Sequence, residues 1–177
     1  MYGNSIPENM SKKAQFVVII LDTATDMEAK AKKFYSDLFL SKIIGEQYVS
    51  EYLSIPELFK VQNDFNIEVL RIHENEIPSS FLQLNSNRIF NEKIEASKPI
   101  CIEHIVHFSA EEIQLLFNRV EEIARQRKHD FIWVKIFESD LILRENLIEM
   151  GYSAFNYSGT VAENLPAKQL FLKKEIN

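Results

Sequence analysis

Residues 99–138 combine two apolar segments with one long amphipathic segment between them. PICIEHIVHF (99–108) and FIWVKIFE (131–138) are short runs rich in β-branched and aromatic residues, which predicts two buried strands. Between them, apolar residues form one stripe of a helix predicted over 110–128: Ile113, Leu116, Phe117, Val120, Ile123 and Ala124. Two strands that are joined by a crossover helix within one sheet run parallel. We therefore expect an α/β fold in which 131–138 lies beside 99–108 and parallel to it.

The remaining sequence also alternates between strand and helix patterns. Further strands are predicted at 15–22, 66–73, 78–85, 152–157 and 168–174. Thr25 and Glu28 form a T-x-x-E pattern, which predicts the start of a helix that ends near Leu40. Ser139 is the predicted cap of a short helix that reaches Met150, with Gly151 as its stop. The signal over 42–60 is mixed and fits a short helix broken at Pro56, whereas 86–98 is polar and predicts a loop.

Length and composition limit the class of protein. The 177 residues, of which 46% are hydrophobic, fit one domain over 13–177 that follows a flexible leader over 1–12. The formal net charge of −6, with scattered Lys and Arg, argues against binding to nucleic acid. Phe16–Leu21, the longest apolar stretch, is far shorter than the roughly 20 residues that span a bilayer. The single cysteine, Cys101, excludes an internal disulfide. We expect a cytoplasmic protein with no membrane partner, and its oligomeric state stays open.

The second half of the chain resembles the GNAT superfamily of acyl-CoA-dependent N-acetyltransferases. VEEIARQRKHDFIWVKIFESDLILRENLIEMGY follows that family's order of a long helix, a strand and then N-x-x-A-x-x-x-Y-x-x-x-G-F. NEIPSSFLQLN, IEHIVHF and QLFLKKEI resemble its third, fourth and last strands. The resemblance implies a GNAT-like mixed, twisted sheet with helices on both faces, whose fourth and fifth strands separate to admit the pantetheine arm of acetyl-CoA. It also implies acetyl transfer from acetyl-CoA to an amine of a small molecule or peptide.

The segment that would bind the pyrophosphate departs from the family pattern. GNAT enzymes have Q/R-x-x-G-x-G/A after the fourth strand, where glycines let backbone N–H groups approach the phosphates. HFSAEEIQLL (107–116) has no glycine, and against the family pattern it is about four residues too short for that loop. Ser109 and Glu112 instead form an S-x-x-E capping box. Glu111 and Glu112 place two carboxylates in the first turn, where they repel a phosphate.

Two positions near residues 139–150 also differ from the family. The tyrosine that usually protonates the leaving thiolate falls on Leu147, which cannot donate a proton, and the family's asparagine falls on Asp140. We expect Leu147 to face the core with Leu143 and Met150. Two functions stay open under this resemblance: an acetyltransferase with a degenerate cofactor loop, and a catalytically degenerate GNAT-fold protein that binds a ligand or partner. A third, a glyoxalase-like binding protein or metal enzyme, belongs to the alternative fold given below.

The strand at 99–108 carries the candidates for chemistry. A period of two places Cys101, Glu103, Ile105 and His107 on one face, and Ile102, His104, Val106 and Phe108 on the other. Glu103 matches the position of a carboxylate base in several GNAT enzymes, and His107 is the second candidate base. His104 is assigned a structural role. By the same resemblance, cofactor contacts are expected at Ile105, Val106, His107 and Ser109. No metal site is expected, because Glu103 and His107 would lie roughly 13 Å apart along a strand.

A second resemblance provides an alternative fold. FVVIILDTATDMEAKAKKFYSDLF is similar to the opening of the glyoxalase and bleomycin-resistance superfamily, where a strand, an aspartate and a helix precede three more strands. Residues 100–128 would then begin a second βαβββ module. This alternative lacks a set of His and Glu metal ligands at strand positions, and it does not account for a helix at 139–150.

Overall fold

The computed structural model describes residues 11–87, 95–159 and 161–177. These residues contain seven strands: β1 (Lys13–Phe16), β2 (Ile67–Glu74), β3 (Ile77–Asn85), β4 (Pro99–Val106), β5 (Phe131–Phe137), β6 (Ser153–Ala154) and β7 (Gln169–Glu175). They also contain five helices: α1 (Leu21–Leu38), α2 (Lys42–Tyr52), α3 (Ile55–Gln62), α4 (Ala110–Gln126) and α5 (Leu141–Glu149). Most of the predicted leader and residues 88–94 of the predicted loop lie outside the described residues.

The strands form one mixed sheet in the order β1-β2-β3-β4-β5-β7-β6. Only β4 and β5 pair in parallel within the described part of the chain, and α4 is the crossover between them, as predicted. Buried residues of α4 and α5 pack on one face of the sheet, and those of α1, α2 and α3 pack on the other. The expected α/β architecture with helices on both faces is confirmed. Each described helix is too short or too polar to span a lipid bilayer.

The start of α1 differs from the prediction. The strand predicted over 15–22 ends at Phe16, and the helix begins at Leu21 without a side-chain cap. Thr25 does not cap the helix, because its hydroxyl donates to the carbonyl of Leu21 within it at 2.7 Å. Burial of Ala24 against the sheet gives the reason, since this packing extends the apolar stripe by one turn toward the N-terminus. The carboxylate of Glu28 accepts the Ile55 N–H at the start of α3 instead.

The segment with the mixed signal forms two helices, α2 and α3. Pro56 lies in the first turn of α3, where its missing N–H costs no hydrogen bond, so it begins a helix that it was predicted to break. Gly45 allows α2 to cross closely over α1, because a Cβ there would lie 2.4 Å from the Ser36 nitrogen. This close approach brings Tyr48 of α2 against Tyr35 of α1, with ring centroids 4.5 Å apart.

A β-bulge interrupts β4 and overturns the predicted period of two. Glu103 pairs with Gln83 and Val106 with Phe81, so β4 has one more residue than β3 over this interval. His104 adopts a positive φ of 51° at the bulge. Beyond it, Ile105 joins the core under α4, whereas Val106 joins the core under α1. The prediction that Glu103, Ile105 and His107 share one face is therefore wrong.

The pairing of β4 with β5 ends before either strand does. Their parallel register runs from Pro99 opposite Phe131 to Ile102 opposite Val134, and within the described residues no pair follows. The two strands nevertheless continue to Val106 and Phe137. They therefore separate toward their carboxyl ends, as the family resemblance implied.

Candidate active site

Two cavities meet where β4 and β5 separate. The inner pocket, of about 120 Å³, lies between the sheet and helices α1 and α2. The outer groove, of about 440 Å³, lies beside the starts of α4 and α5. Phe34, Leu38 and Asp140 line both cavities. The two cavities thus adjoin at these three side chains, beside the opening between the strands.

Glu103 brings an ionised carboxylate, paired with Lys135, to the inner pocket. Its carboxylate accepts hydrogen bonds from Asn85 at 3.1 Å and from Lys135 at 2.9 Å. Burial opposes its ionisation, but the His104 imidazole and the Lys135 ammonium more than offset that effect, so the pKa of Glu103 lies below its ordinary value. Glu103 is therefore a stable anion and a weak base.

His104 brings an imidazole to the inner pocket. The bulge places its ring between Tyr48, whose hydroxyl lies 3.5 Å from Nδ1, and Tyr52, whose ring stacks at 5.8 Å. Burial lowers the pKa of His104 below its ordinary value, although the charge of Glu103 acts in the opposite direction. The imidazole is thus uncharged near neutral pH and able to accept a proton.

Aromatic rings form much of the remaining wall. Tyr157 stacks on Trp133 at 5.0 Å, and the Lys135 ammonium lies 5.2 Å from the Trp133 ring centroid. Tyr157 lines the inner pocket with Tyr48 and Tyr52. Aromatic faces beside a carboxylate are favourable surroundings for a cationic amine.

His107 and Asp140 connect the two strand ends across the opening. His107 Nε2 lies 2.9 and 2.8 Å from the two carboxylate oxygens of Asp140, and both side chains are buried. Asp140 also accepts the Leu143 N–H at 3.2 Å, so it caps α5 in place of the predicted Ser139. The Asp140 carboxylate therefore contacts His107 across the strand opening and also caps the start of α5.

The candidate residues from the sequence are divided between the two cavities. Glu103 and Ile105 line the inner pocket, whereas His107 and Ser109 line the outer groove. Val106 packs in the core below α1. Leu147 lies in the opposite core with Leu143, and Met150 packs against that core, as predicted.

His104, Tyr48 and Lys135 were missed by sequence reasoning. His104 depends on a bulge that period-two counting does not detect, and Tyr48 lies in the segment with the mixed signal. Lys135 did leave a signal, because it is the one charged residue within the apolar strand FIWVKIF. A lysine in a buried strand points to a charged partner, which here is Glu103.

The start of α4 is occupied by its own side chains. Ser109 Oγ accepts the Glu112 N–H at 3.2 Å, which confirms the predicted cap. The Glu112 carboxylate accepts the Ser109 hydroxyl at 3.1 Å and the Ser80 N–H at 3.3 Å, so it does not close the box on the backbone N–H of Ser109. Lys12 forms ion pairs with Glu111 at 3.3 Å and with Glu112 at 3.7 Å. The helix start thus carries two carboxylates and one ammonium.

Replacing Ser109 by alanine tests this cap. The change should lower the free energy of unfolding by about 1 kcal/mol, because it removes one N-cap hydrogen bond. Urea denaturation followed by circular dichroism measures the difference. Ser153→Ala is the matched control at an exposed position outside any helix, and it should be nearly neutral. Equal stability of the Ser109→Ala variant and the unchanged protein would contradict the assigned cap.

Solved structures of acetyltransferases share this arrangement of strands and helices. A probable acetyltransferase from Staphylococcus epidermidis has a TM-score of 0.71 at 9% identity, over 94% of this chain and 100% of that chain. PaiA N-acetyltransferase from Thermoplasma acidophilum, in complex with coenzyme A, has a TM-score of 0.69 at 11% identity, over 92% and 99%. A GNAT-family acetyltransferase from Staphylococcus aureus has a TM-score of 0.66 at 8% identity, over 93% and 99%. The sequence matches no protein-family model and no curated protein.

The chain has the GNAT acetyltransferase fold. This finding excludes the glyoxalase-like alternative, and α5, which has no place in a βαβββ module, agrees with it. In the described residues, no group of three or more His, Cys, Asp or Glu side chains is placed to hold a metal ion. The structural similarity establishes the fold, whereas sequence identities of 8–11% do not establish the reaction.

Proposed function

We propose that this protein is an N-acyltransferase that transfers an acyl group from a pantetheine thioester to a small-molecule amine. One observation carries the proposal: the inner pocket and the outer groove meet at the separated ends of β4 and β5. A transfer reaction needs this geometry, because donor and acceptor must approach one point from different directions. The acetyltransferases with the same fold support this reaction class.

The outer groove fits the pantetheine part of the donor. Phe108, Leu141 and Ile142 give it an apolar wall, and Ser109 and Ser139 add hydroxyl groups. Pantetheine combines apolar carbons with amides, so it matches such a surface. The nucleotide part of CoA does not fit equally well, because the start of α4 has neither glycines nor free positive charge.

The inner pocket fits the amine. The Glu103 carboxylate, which already offsets the Lys135 ammonium, can accept a further hydrogen bond from the amine, and the aromatic rings of Tyr48, Tyr52 and Tyr157 line the same pocket. An ammonium ion cannot attack, since its lone pair holds a proton. His104, neutral near pH 7, is the group we assign to accept that proton, in the tautomer that shares Nδ1–H with Tyr48 and leaves Nε2 as the acceptor.

The free amine then forms a bond to the acyl carbon, and the carbon–sulfur bond breaks. The bulge leaves residues 104–105 outside the β3–β4 pairing, and an unpaired backbone N–H there would stabilise negative charge on the acyl oxygen. Leu147 supplies no acid to the departing sulfur. A thiolate, whose conjugate acid has a pKa of roughly 8.5, can leave. The proton that the nitrogen loses as the amide forms reaches the departing sulfur through water, and His104 later releases the first proton to solvent.

Direct assay of acyl transfer tests the proposal. Incubation with S-acetylpantetheine or acetyl-CoA and a panel of small amines should yield an acetylated amine, detected by mass spectrometry. Glu103→Gln should reduce kcat/KM for the amine at least about tenfold, because it leaves the Lys135 ammonium without its carboxylate partner, and that ammonium repels a cationic amine. Glu138→Gln is the matched control, since this exposed carboxylate pairs only with Lys168 among the described residues.

The bond between His107 and Asp140 favours a second candidate function. It spans the strand opening, and together with Leu147 it suits a protein that binds an amine without transferring an acyl group. Binding of an amine in the inner pocket, with no product from either donor, would support this candidate and contradict acyl transfer. Isothermal titration with the same amine panel measures that binding.

A further inference from the structure

We infer that the acyl donor is an uncharged pantetheine thioester, and that the outer groove disfavours the nucleotide of CoA. This inference rests on the proposed acyl transfer and names the donor of that reaction. It follows from three features of the groove: its charges, the hydrogen bonds at the start of α4 and its apolar wall.

The charges of the groove are those that repel phosphates. Its lining contains the carboxylates of Asp37, which pairs with Lys33 at 3.1 Å, and of Asp140, which contacts His107, and among the described residues it contains no Lys or Arg. Lys12 is the cation at the adjacent start of α4, where it already pairs with Glu111 and Glu112 and leaves the trio with a net negative charge. The pyrophosphate and 3′-phosphate of CoA would meet no Lys or Arg in the described part of the groove lining, and the nearby ammonium groups of Lys12 and Lys33 already have carboxylate partners.

The backbone at the start of α4 offers phosphates little. The N–H of Glu112 is bound by Ser109 Oγ, and the N–H of Ile113 donates to the Ser109 carbonyl at 3.1 Å. The buried Glu112 carboxylate lies where negative charge is favoured by the helix dipole. The protein therefore fills with its own side chain the place that an anion would take.

The apolar wall suits the part of the donor that carries no charge. Phe108, Leu141 and Ile142 line the groove and keep 41%, 58% and 57% of their surface exposed. Covering these side chains with the apolar carbons of pantetheine removes apolar surface from water. The affinity for the donor thus comes from the pantetheine arm and the acyl group, and the nucleotide of CoA contributes no affinity.

Equilibrium binding of CoA and pantetheine, measured by calorimetry on the full chain, tests the inference without relying on turnover. Pantetheine should bind as tightly as CoA, within about threefold, or more tightly. CoA binding should strengthen between about 50 and 500 mM salt, since salt screens repulsion, whereas pantetheine binding should stay constant. CoA binding that is more than about threefold tighter than pantetheine binding would overturn the inference.

Glu111→Lys isolates the electrostatic cause. Glu111 is exposed, with 67% of its side-chain surface accessible, so the variant should fold. It should tighten CoA binding about three- to tenfold and leave pantetheine binding unchanged, because only CoA carries phosphates. Glu122→Lys makes the same charge change on the exposed side of the same helix and should alter neither affinity. Equal effects of the two variants on CoA would contradict exclusion at the helix start.

Kinetics separate the inference from the proposed function. Acetyl transfer from S-acetylpantetheine with a kcat/KM at least equal to that of acetyl-CoA supports both. Transfer that needs acetyl-CoA overturns the inference and leaves acyl transfer intact. Failure of both donors with every amine overturns acyl transfer and the inference with it.

Discussion

Replacing Asp140 by alanine should lower the free energy of unfolding by about 2–4 kcal/mol. Two losses add up: the N-cap of α5, worth about 1 kcal/mol, and the partner of the buried His107 imidazole, worth about 1–3 kcal/mol. Both follow from the position of the carboxylate, which contacts His107 Nε2 at 2.8 Å and the Leu143 N–H at 3.2 Å. Urea denaturation of the purified variant measures the change.

Two control variants separate these contributions. Asp140→Asn keeps one side-chain oxygen, which can accept a hydrogen bond either from the Leu143 N–H or from His107 Nε2–H. Its loss of unfolding free energy should therefore be less than half that of Asp140→Ala. Ser139→Ala should be nearly neutral, although sequence alone predicted Ser139 as the cap, because the hydrogen bond to Leu143 comes from Asp140. A stable Asp140→Ala protein together with a destabilised Ser139→Ala protein would reverse this assignment.

The parallel pairing of β4 with β5 was predictable from the sequence. Both strands are buried on two faces over most of their length, so each reads as a mostly apolar run, and the stripe on α4 fixes the crossover. Local patterns were sufficient here because burial and secondary structure favour the same arrangement. The predicted cap at Ser109 succeeded for the same reason, since its bond to the Glu112 N–H is local.

The beginning of the chain was harder to predict, because distant contacts decide it. Thr25 and Glu28 have a local capping pattern, yet Ala24 packs in the core and Glu28 binds the distant Ile55 N–H.

Two other element boundaries also differ from the prediction. Pro56 was predicted to break a helix, but it lies in the first turn of α3, where proline is favourable. The strand predicted over 152–157 shortens to Ser153–Ala154, the two residues in register with β7, and Phe155 adds one hydrogen bond to Phe171 beyond them.

The candidate site was predictable in position but not in detail. The sequence predicted Glu103 and His107 on one strand. In the structure Glu103 lies within β4, and His107 directly follows its last residue. The bulge assigns them to different cavities and brings His104 to the inner pocket. Such a bulge depends on the register between β3 and β4, and the alternation of residues along one strand carries no information about that register. Their catalytic and cofactor roles remain proposals.

Replacing His104 by glutamine should reduce kcat for acyl transfer by about 10²–10⁴-fold, the usual contribution of a general base. The wild-type rate should also depend on pH in a specific direction. Because burial lowers the pKa of His104 below 6.5, the imidazole is neutral at pH 7 and becomes charged only in more acidic solution. The rate should therefore fall as the pH decreases through that lowered pKa, and the variant should lack this acidic limb.

His129→Gln is the matched control for this pH profile. Burial also lowers the pKa of His129, but its ring contacts the Lys98 carbonyl beyond the end of α4 and lines neither cavity. This variant should keep both the rate and the acidic limb. Circular dichroism across the same pH range distinguishes loss of catalysis from unfolding. An unchanged acidic limb in His104→Gln would assign the proton to another group, because a glutamine at position 104 has no titration in this range.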